Sequence, residues 1–454
     1  MKAFKQYQVM KLIATIIIGL AIMMPAALKA QDSTLQNLPD TWSLEYCIAY
    51  AKEHNIQINN LKLNTNSAQE DLLQSKAARL PNLSASVSQS FVNSKNVNSV
   101  VGGFQSQANF SSSYGASSSF TLYNGGYLKN DIKSKELSIQ SANLTVQETE
   151  NDITLSITQA YLNVLLAKET ITSLVNVLIT SQAQATQGQQ RFDAGSISKK
   201  DLIQLQAQVA TDQYNITNAQ NTYNLNVITL KQLLQLPTSY NFKPEIPTNI
   251  TVHEAVANLE DAQQMATNTR PEVKNGATSI KIAETELEKV KAGVKPTVSL
   301  GANLYTGYAD NQSYKYTTQL NNNFYQSLGL NVSIPIYSRR ANKTSINKTK
   351  IQINQAKLAL ESTKTVLNQQ VEQAYVNLQN SQAQYAAAET QLNANEESYN
   401  ITNEQLKLGS INVVELQQQR SLYTQALQAY LQAKYTTVLY NKIYNFYTGT
   451  PVTF

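Results

Sequence analysis

The sequence contains the same unit twice. Tyr123 recurs as Tyr337, Gln159-Ala160-Tyr161 as Gln373-Ala374-Tyr375, and Gly195-Ser196-Ile197 as Gly409-Ser410-Ile411, each 214 positions further on. Pro81 and Pro296 lie 215 apart, so an insertion falls between them and Tyr123. A solenoid repeats every 20–50 residues or so; this period is far longer. It marks a duplicated, domain-sized unit, and whatever order of elements one copy adopts the other must repeat. The expected division of the 454 residues is 31–236 and 252–454, joined by an extended linker at 237–251 that carries Pro237, Pro244 and Pro247.

Each copy opens with a helical segment, 43–79 and 252–294, that ends before a proline, where helix propagation is disfavoured. The pattern then changes to period two. Leu83, Ala85, Val87 and Phe91 alternate with serines, and Tyr114, Ala116, Phe120 and Leu122 alternate with Ser, Gly and Thr. In the second copy Val298, Leu300, Ala302 and Leu304 do the same, followed by Leu328, Leu330, Val332, Ile334 and Ile336. Such alternation marks strands. Their polar side is small and uncharged, and each run approaches the roughly 9–11 residues that cross a bilayer when tilted.

After each strand pair comes a sustained heptad. Ile132, Ile139, Val146, Ile153, Ala160, Ala167 and Leu174 are seven apart, as are Ile346, Ile353, Leu360, Leu367 and Ala374. A sustained heptad predicts helices wound into left-handed coiled coils. From Asn124 to Gln190 there is no proline, enough for a rod of roughly 100 Å at 1.5 Å per residue. Gly195 and Gly409 interrupt the two rods, and helix resumes near Ser198 and Asn412, the pattern of a tight helical hairpin.

The N-terminus says where such a chain goes. Residues 1–30 hold Lys2, Lys5, Lys11 and Lys29 and no acid, a short apolar run from Leu12 to Met24, and small residues ending at Ala30. That is the pattern of a signal peptide, and its apolar run is too short for a membrane span of about 20 residues. Met10 is an alternative start. Without those four lysines the formal charge falls from +5 to +1, which argues against nucleic acid as a partner. In an exported chain, the paired alternating runs favour an outer-membrane barrel over a soluble sandwich. Four strands cannot close a barrel, and open edges in lipid leave backbone groups unpaired. Strands from several chains must combine, and three chains, giving twelve, leave a passage suited to the small polar side.

Composition leaves little room for an enzyme. The chain has two histidines, His54 and His253, one cysteine, Cys47, and no phosphate-binding glycine loop. No cofactor or metal is expected, and the tyrosine cluster Tyr435, Tyr440, Tyr444 and Tyr447 reads as helix packing.

Trp42-Ser43-Leu44-Glu45, Leu80-Pro81, Phe120-Thr121-Leu122-Tyr123-Asn124-Gly125-Gly126, Gln159-Ala160-Tyr161 and the two Gly-Ser-Ile turns together resemble the TolC-type outer-membrane channel family. The resemblance spans nearly all of the mature chain. It implies a mainly α fold with membrane β: duplicated long helical hairpins forming a periplasmic coiled-coil tunnel, and four strands per chain in a shared twelve-stranded trimeric barrel. It further implies a periplasmic adaptor and an inner-membrane pump as partners, in outer-membrane lipid, with the adaptor docking at Gly195, Ser196, Ile197, Gly409, Ser410 and Ile411. Related channels carry acids just after the second turn, which points to Glu415, and by position Asp201, at the periplasmic constriction. A carboxylate near a helix N-terminus is also what the helix dipole favours, with no gate involved. The expected function is the exit duct of a tripartite efflux pump for small molecules. The exit duct of a type I protein secretion system is the alternative, and a secreted structural coiled coil or a cell-envelope hydrolase are alternatives of other classes. One departure stands out: Ser338-Arg339-Arg340 replaces the Asn-Gly-Gly of the first copy.

Overall fold

The computed structural model describes residues 39–97, 104–247, 251–252 and 256–453, of which everything from Ser43 onward belongs to one structural unit. The expected signal segment, His253 and Phe454 lie outside the described residues. The first copy gives α1 (Leu44–His54), α2 (Ile56–Ala77), β1 (Ser84–Val97), β2 (Phe104–Asn124), α3 (Tyr127–Asp193) and α4 (Lys199–Leu233). The second gives α5 (Leu259–Thr269), α6 (Pro271–Ala292), β3 (Thr297–Ala309), α7 (Tyr316–Asn322), β4 (Tyr325–Ser333), α8 (Ala341–Leu408) and α9 (Val413–Tyr447). Between the copies, no helix or strand forms in residues 237–247. The Tyr161 hydroxyl donates to the Glu245 carbonyl (2.7 Å) and tethers this strip to α3.

The opening helical segments, expected to be continuous, are each broken once, into 11 and 22 residues in both copies. At the first break Asn55 turns extended and its side chain accepts from the Gln57 and Ile58 N–H groups (2.9 and 3.3 Å). At the second, Pro271 starts the new helix, a position where its missing N–H costs nothing.

The four strands form one antiparallel sheet in the order β1-β2-β3-β4, so β1 and β4 are its edges. The register places Val87 opposite Tyr114, Ala116 opposite Leu304, Phe120 opposite Leu300, and Leu300 opposite Leu330. These residues share one face, and the apolar members of all four alternating runs meet on it. Ser86, Gly115, Ser117, Asn303, Gly301 and Gly329 line the other. A register shift between Thr121 and Tyr123 pairs Tyr123 with Val298, which returns this tyrosine to the apolar face. Along β2, Tyr114 and Tyr123 are nine steps apart, roughly 30 Å of strand. Tilted about 40°, that spans close to the ~25 Å apolar band between aromatic girdles in membrane barrels.

Two features of the sheet differ from expectation. β4 stops at Ser333 rather than reaching Ile336, because Pro335 has no N–H to give a ladder. And α7 interrupts the β3–β4 connection. Gln319, buried, holds it by accepting from the Ala309 N–H (2.9 Å) and donating to the Ala309 and Tyr314 carbonyls (3.0 and 2.9 Å). Tyr316 on α7 shares a hydroxyl hydrogen bond with Tyr114 (2.9 Å) on the apolar face.

The rods are nearly equal: α3 and α8 have 67 and 68 residues, and α4 and α9 have 35 each. The heptad residues Ile132, Val146, Ile153, Ala160, Ala167 and Leu174 are buried, as are Ile353, Leu367 and Ala374. α3 packs on α4 and α8 on α9, while α6 lies against both α3 and α8 and so joins the two hairpins. Where α5 and α6 meet α8 and α9, Ala262, Ala266, Val273, Leu367, Val371, Leu378 and Tyr444 form a core. The Tyr444 hydroxyl donates to the Ala257 carbonyl (2.8 Å), and burial pushes its phenol up to about 12.

Candidate functional site

The end of the rods opposite the sheet is built from the two glycine turns, and they are near copies. At the end of α3 the Gly195 N–H donates to the Phe192 carbonyl (2.8 Å) and the Ser196 N–H to the Arg191 carbonyl (2.7 Å). At the end of α8 the Gly409 N–H donates to the Leu406 carbonyl and the Ser410 N–H to the Gln405 carbonyl, both 3.0 Å. These paired 5→2 and 6→1 bonds are Schellman motifs, and they need a left-handed residue between them. Gly195 (φ +72°) and Gly409 (φ +77°) supply it. Space is not the constraint: a Cβ on Gly195 would meet nothing within 4 Å, and one on Gly409 only the Arg191 guanidinium at 3.7 Å. Ile197 and Ile411 follow, half-buried.

Each returning helix is then capped. Ser198 and Asp201 form a capping box: the Asp201 N–H donates to Ser198 Oγ (3.1 Å), and the Asp201 carboxylate accepts from the Ser198 hydroxyl (2.7 Å) and N–H (3.4 Å). In the second copy the Glu415 N–H donates to the Asn412 side chain (3.0 Å). The two acids therefore differ. The carboxylate of Asp201 is occupied in holding its own helix start, whereas that of Glu415 is exposed and meets no cation among the described residues. The hairpins are tied together here by Arg191, whose guanidinium donates to the carbonyls of Leu406 (2.7 Å) and Lys407 (3.1 Å), and by Gln417, which donates to the Gln204 carbonyl (3.1 Å). All the residues expected at the tip thus lie at one end of the unit.

Behind the turns the structure adds what the sequence did not reveal. Gly188 lets α3 and α4 pack closely, since a Cβ there would stand 2.6 Å from a Leu205 methyl. Asp212 and Arg420, 4% and 5% exposed, form an ion pair inside the bundle. Ser181 donates to the same carboxylate (2.5 Å), as does Gln208 (3.1 Å), while Arg420 Nε has no acceptor among the described residues. Beside them Gln184 donates to the Tyr399 hydroxyl (2.9 Å) and to Asn403 (2.8 Å). Burial raises the Tyr399 phenol, and its ring lies parallel to that of Tyr423 at 5.3 Å. This polar cluster joins α3, α4, α8 and α9 at one level. Among the described residues no group of His, Cys, Asp and Glu could hold a metal. The arrangement offers two faces on a sheet and a firmly tied helical tip.

Comparisons with known proteins agree with that description. A comparison with curated protein sequences finds no match. Among solved structures the chain is similar to CusC, described as forming a transmembrane channel, at 18% identity and a TM-score of 0.77 over 92% of this chain and 96% of that one. It is similar to the outer membrane protein VceC of Vibrio cholerae at 13% identity and 0.72, over 89% and 96%. It is also similar to the outer membrane channel CmeC of Campylobacter jejuni at 16% and 0.70, over 94% and 93%. At such identities the likeness shows the fold, two helical hairpins on a small sheet. Residues 48–235 and 248–439 match the outer membrane efflux protein family, one stretch in each copy, and the chain belongs to that family.

Proposed function

We propose that the chain is one third of the exit duct of a tripartite efflux pump for small molecules. Three copies close a twelve-stranded barrel in the outer membrane, with residues 31–236 and 252–454 each giving two strands and one hairpin. The observation that supports this best is the sheet: two unpaired edges, one apolar face and one face of Ser, Gly and Asn. Edges β1 and β4 are antiparallel-ready strands whose backbone groups lipid cannot satisfy, so pairing β4 of one copy with β1 of the next removes the penalty. The small polar face then lines a lumen wide enough for water and solutes. The rods continue the lumen into the periplasm. Their tip, at Gly195 to Ile197 and Gly409 to Ile411, meets a periplasmic adaptor that joins it to an inner-membrane pump. The duct itself is passive.

Three copies bring three Glu415 carboxylates to the tip, where one axis concentrates their potential. Asp201, held in its capping box, contributes less. A planar bilayer with asymmetric salt tests the duct and this ring together. The wild-type protein is expected to conduct with a preference for cations, and Glu415→Gln to conduct with that preference reduced. Absence of any conductance would sink the duct; an unchanged reversal potential would confine Glu415 to its helix start.

A further inference from the structure

The two junctions between sheet and rod share a backbone path and differ in residues. In the first copy Gly125 (φ +69°) and Gly126 (φ +91°) make the left-handed turn into α3. In the second, Arg339 (φ +46°) and Arg340 (φ +67°) make it into α8. The left-handed region strains any residue with a Cβ, and two consecutive arginines there are rare. Charge differs too. Residues 338–350 hold Arg339, Arg340, Lys343, Lys348 and Lys350 and no acid, whereas 124–136 mix Lys129, Lys133 and Lys135 with Asp131 and Glu136. All five cations of the second junction are exposed, and among the described residues none meets a carboxylate. Arg340, Lys343 and Lys350 fall along one stripe of the helix start.

What precedes them is apolar and bare. Ile334, Ile336 and Tyr337 are 61%, 94% and 85% exposed, and just past the end of β4 the two isoleucines continue in sequence the alternation of Leu328, Leu330 and Val332. Apolar face, then tyrosine, then arginines is the order in which a membrane is left: hydrocarbon, interface, headgroup phosphates.

We propose that Arg339 and Arg340, with Lys343 and Lys350, bind anionic phospholipid headgroups of the leaflet that faces the periplasm. The inference rests on the membrane seating of the sheet proposed above. Bidentate guanidinium–phosphate bonds and the summed charge favour an anionic lipid over a zwitterionic one. The test uses the full chain, purified in detergent and delipidated, with short-chain phosphatidylglycerol, short-chain phosphatidylcholine and inorganic phosphate as separate probes, read by native mass spectrometry. Phosphatidylglycerol is expected to be retained over phosphatidylcholine. Arg339→Gly with Arg340→Gly, which restores the first copy's residues, should weaken phosphatidylglycerol binding by about thirtyfold, roughly five- to sixfold per charge removed. It should leave phosphatidylcholine binding unchanged and the melting temperature equal or higher. If that variant fails to assemble, Arg339→Gln with Arg340→Gln keeps the backbone occupied by side chains and should show the same loss. Unchanged phosphatidylglycerol retention in either variant overturns the proposal, and loss of assembly with retention intact would place the segment against a neighbouring copy. Inorganic phosphate binding as tightly as the lipid would also overturn it, as a free-anion site. A chain that retains neither lipid and enters no phosphatidylcholine nanodisc would instead refute the membrane seating itself.

Discussion

Asp212 and Arg420 form a buried ion pair that ties the two hairpins together behind the tip. A buried carboxylate left without its guanidinium, or the reverse, costs about 3–5 kcal/mol, while replacing both by well-packed apolar side chains is often nearly neutral. Asp212→Ala and Arg420→Ala are each expected to lower the thermal midpoint well beyond the effect of a surface change such as Lys364→Ala, whose partner Glu361 is exposed. Asp212→Leu with Arg420→Met should recover most of the loss, read by thermal unfolding in detergent. If the single substitutions are silent, the pair is decorative. Nothing in the sequence announced this contact. The duplication predicts symmetric features, yet the positions equivalent to Asp212 and Arg420 are Ala426 and Gln206, so the pair exists once and crosses between the copies. Glu415 was singled out by the resemblance and Asp201 by its matched position in the first copy. Their different engagements were not visible, since Ser198 can exchange hydrogen bonds with a carboxylate one turn on while Asn412 meets only a backbone N–H.

At the scale of elements, the two turns carry the clearest expectation. Valine at Gly195 or Gly409 would have to enter the left-handed region against its branched Cβ, although neither site lacks room. Gly195→Val and Gly409→Val should therefore distort the tip alone. Assembly and heat-modifiable gel migration are expected to persist while drug-efflux complementation and cross-linking to the adaptor fall. Normal complementation with both substitutions present would put docking elsewhere. The elements themselves were mostly legible: heptads gave both rods, and period-two alternation against small polar residues gave the strands of both copies. The short ones were not. α7 has seven residues and is held by tertiary contacts that no local pattern encodes: the buried Gln319, the Tyr316–Tyr114 hydroxyl pair and the Thr306 hydroxyl, which donates to the Leu320 carbonyl. The break at Asn55 hides within helical periodicity, because one side chain caps the restarted helix, whereas Pro271 marks the break after Arg270 in the sequence itself.

For the whole molecule, a sheet with two open edges predicts an obligate assembly. Mass measurement of the detergent-extracted complex is expected to give three chains, and a monodisperse monomer soluble without detergent would contradict it. The family was readable because its motifs recur in order across both copies. The return of Tyr123 to the apolar face was not, since the register shift that redirects it depends on pairing with β3. The matched rods have one more consequence. With 67 and 68 residues descending and 35 returning in each copy, the protein is in effect a ruler of roughly 100 Å. Its two legs must be cut to the same length, so evolution can resize the span only by changing both copies together. Whole heptads are the natural graduation, because seven residues shift the end by about 10 Å and leave every seam contact in phase. The length of the rods thus fixes how far the two glycine turns stand from the sheet.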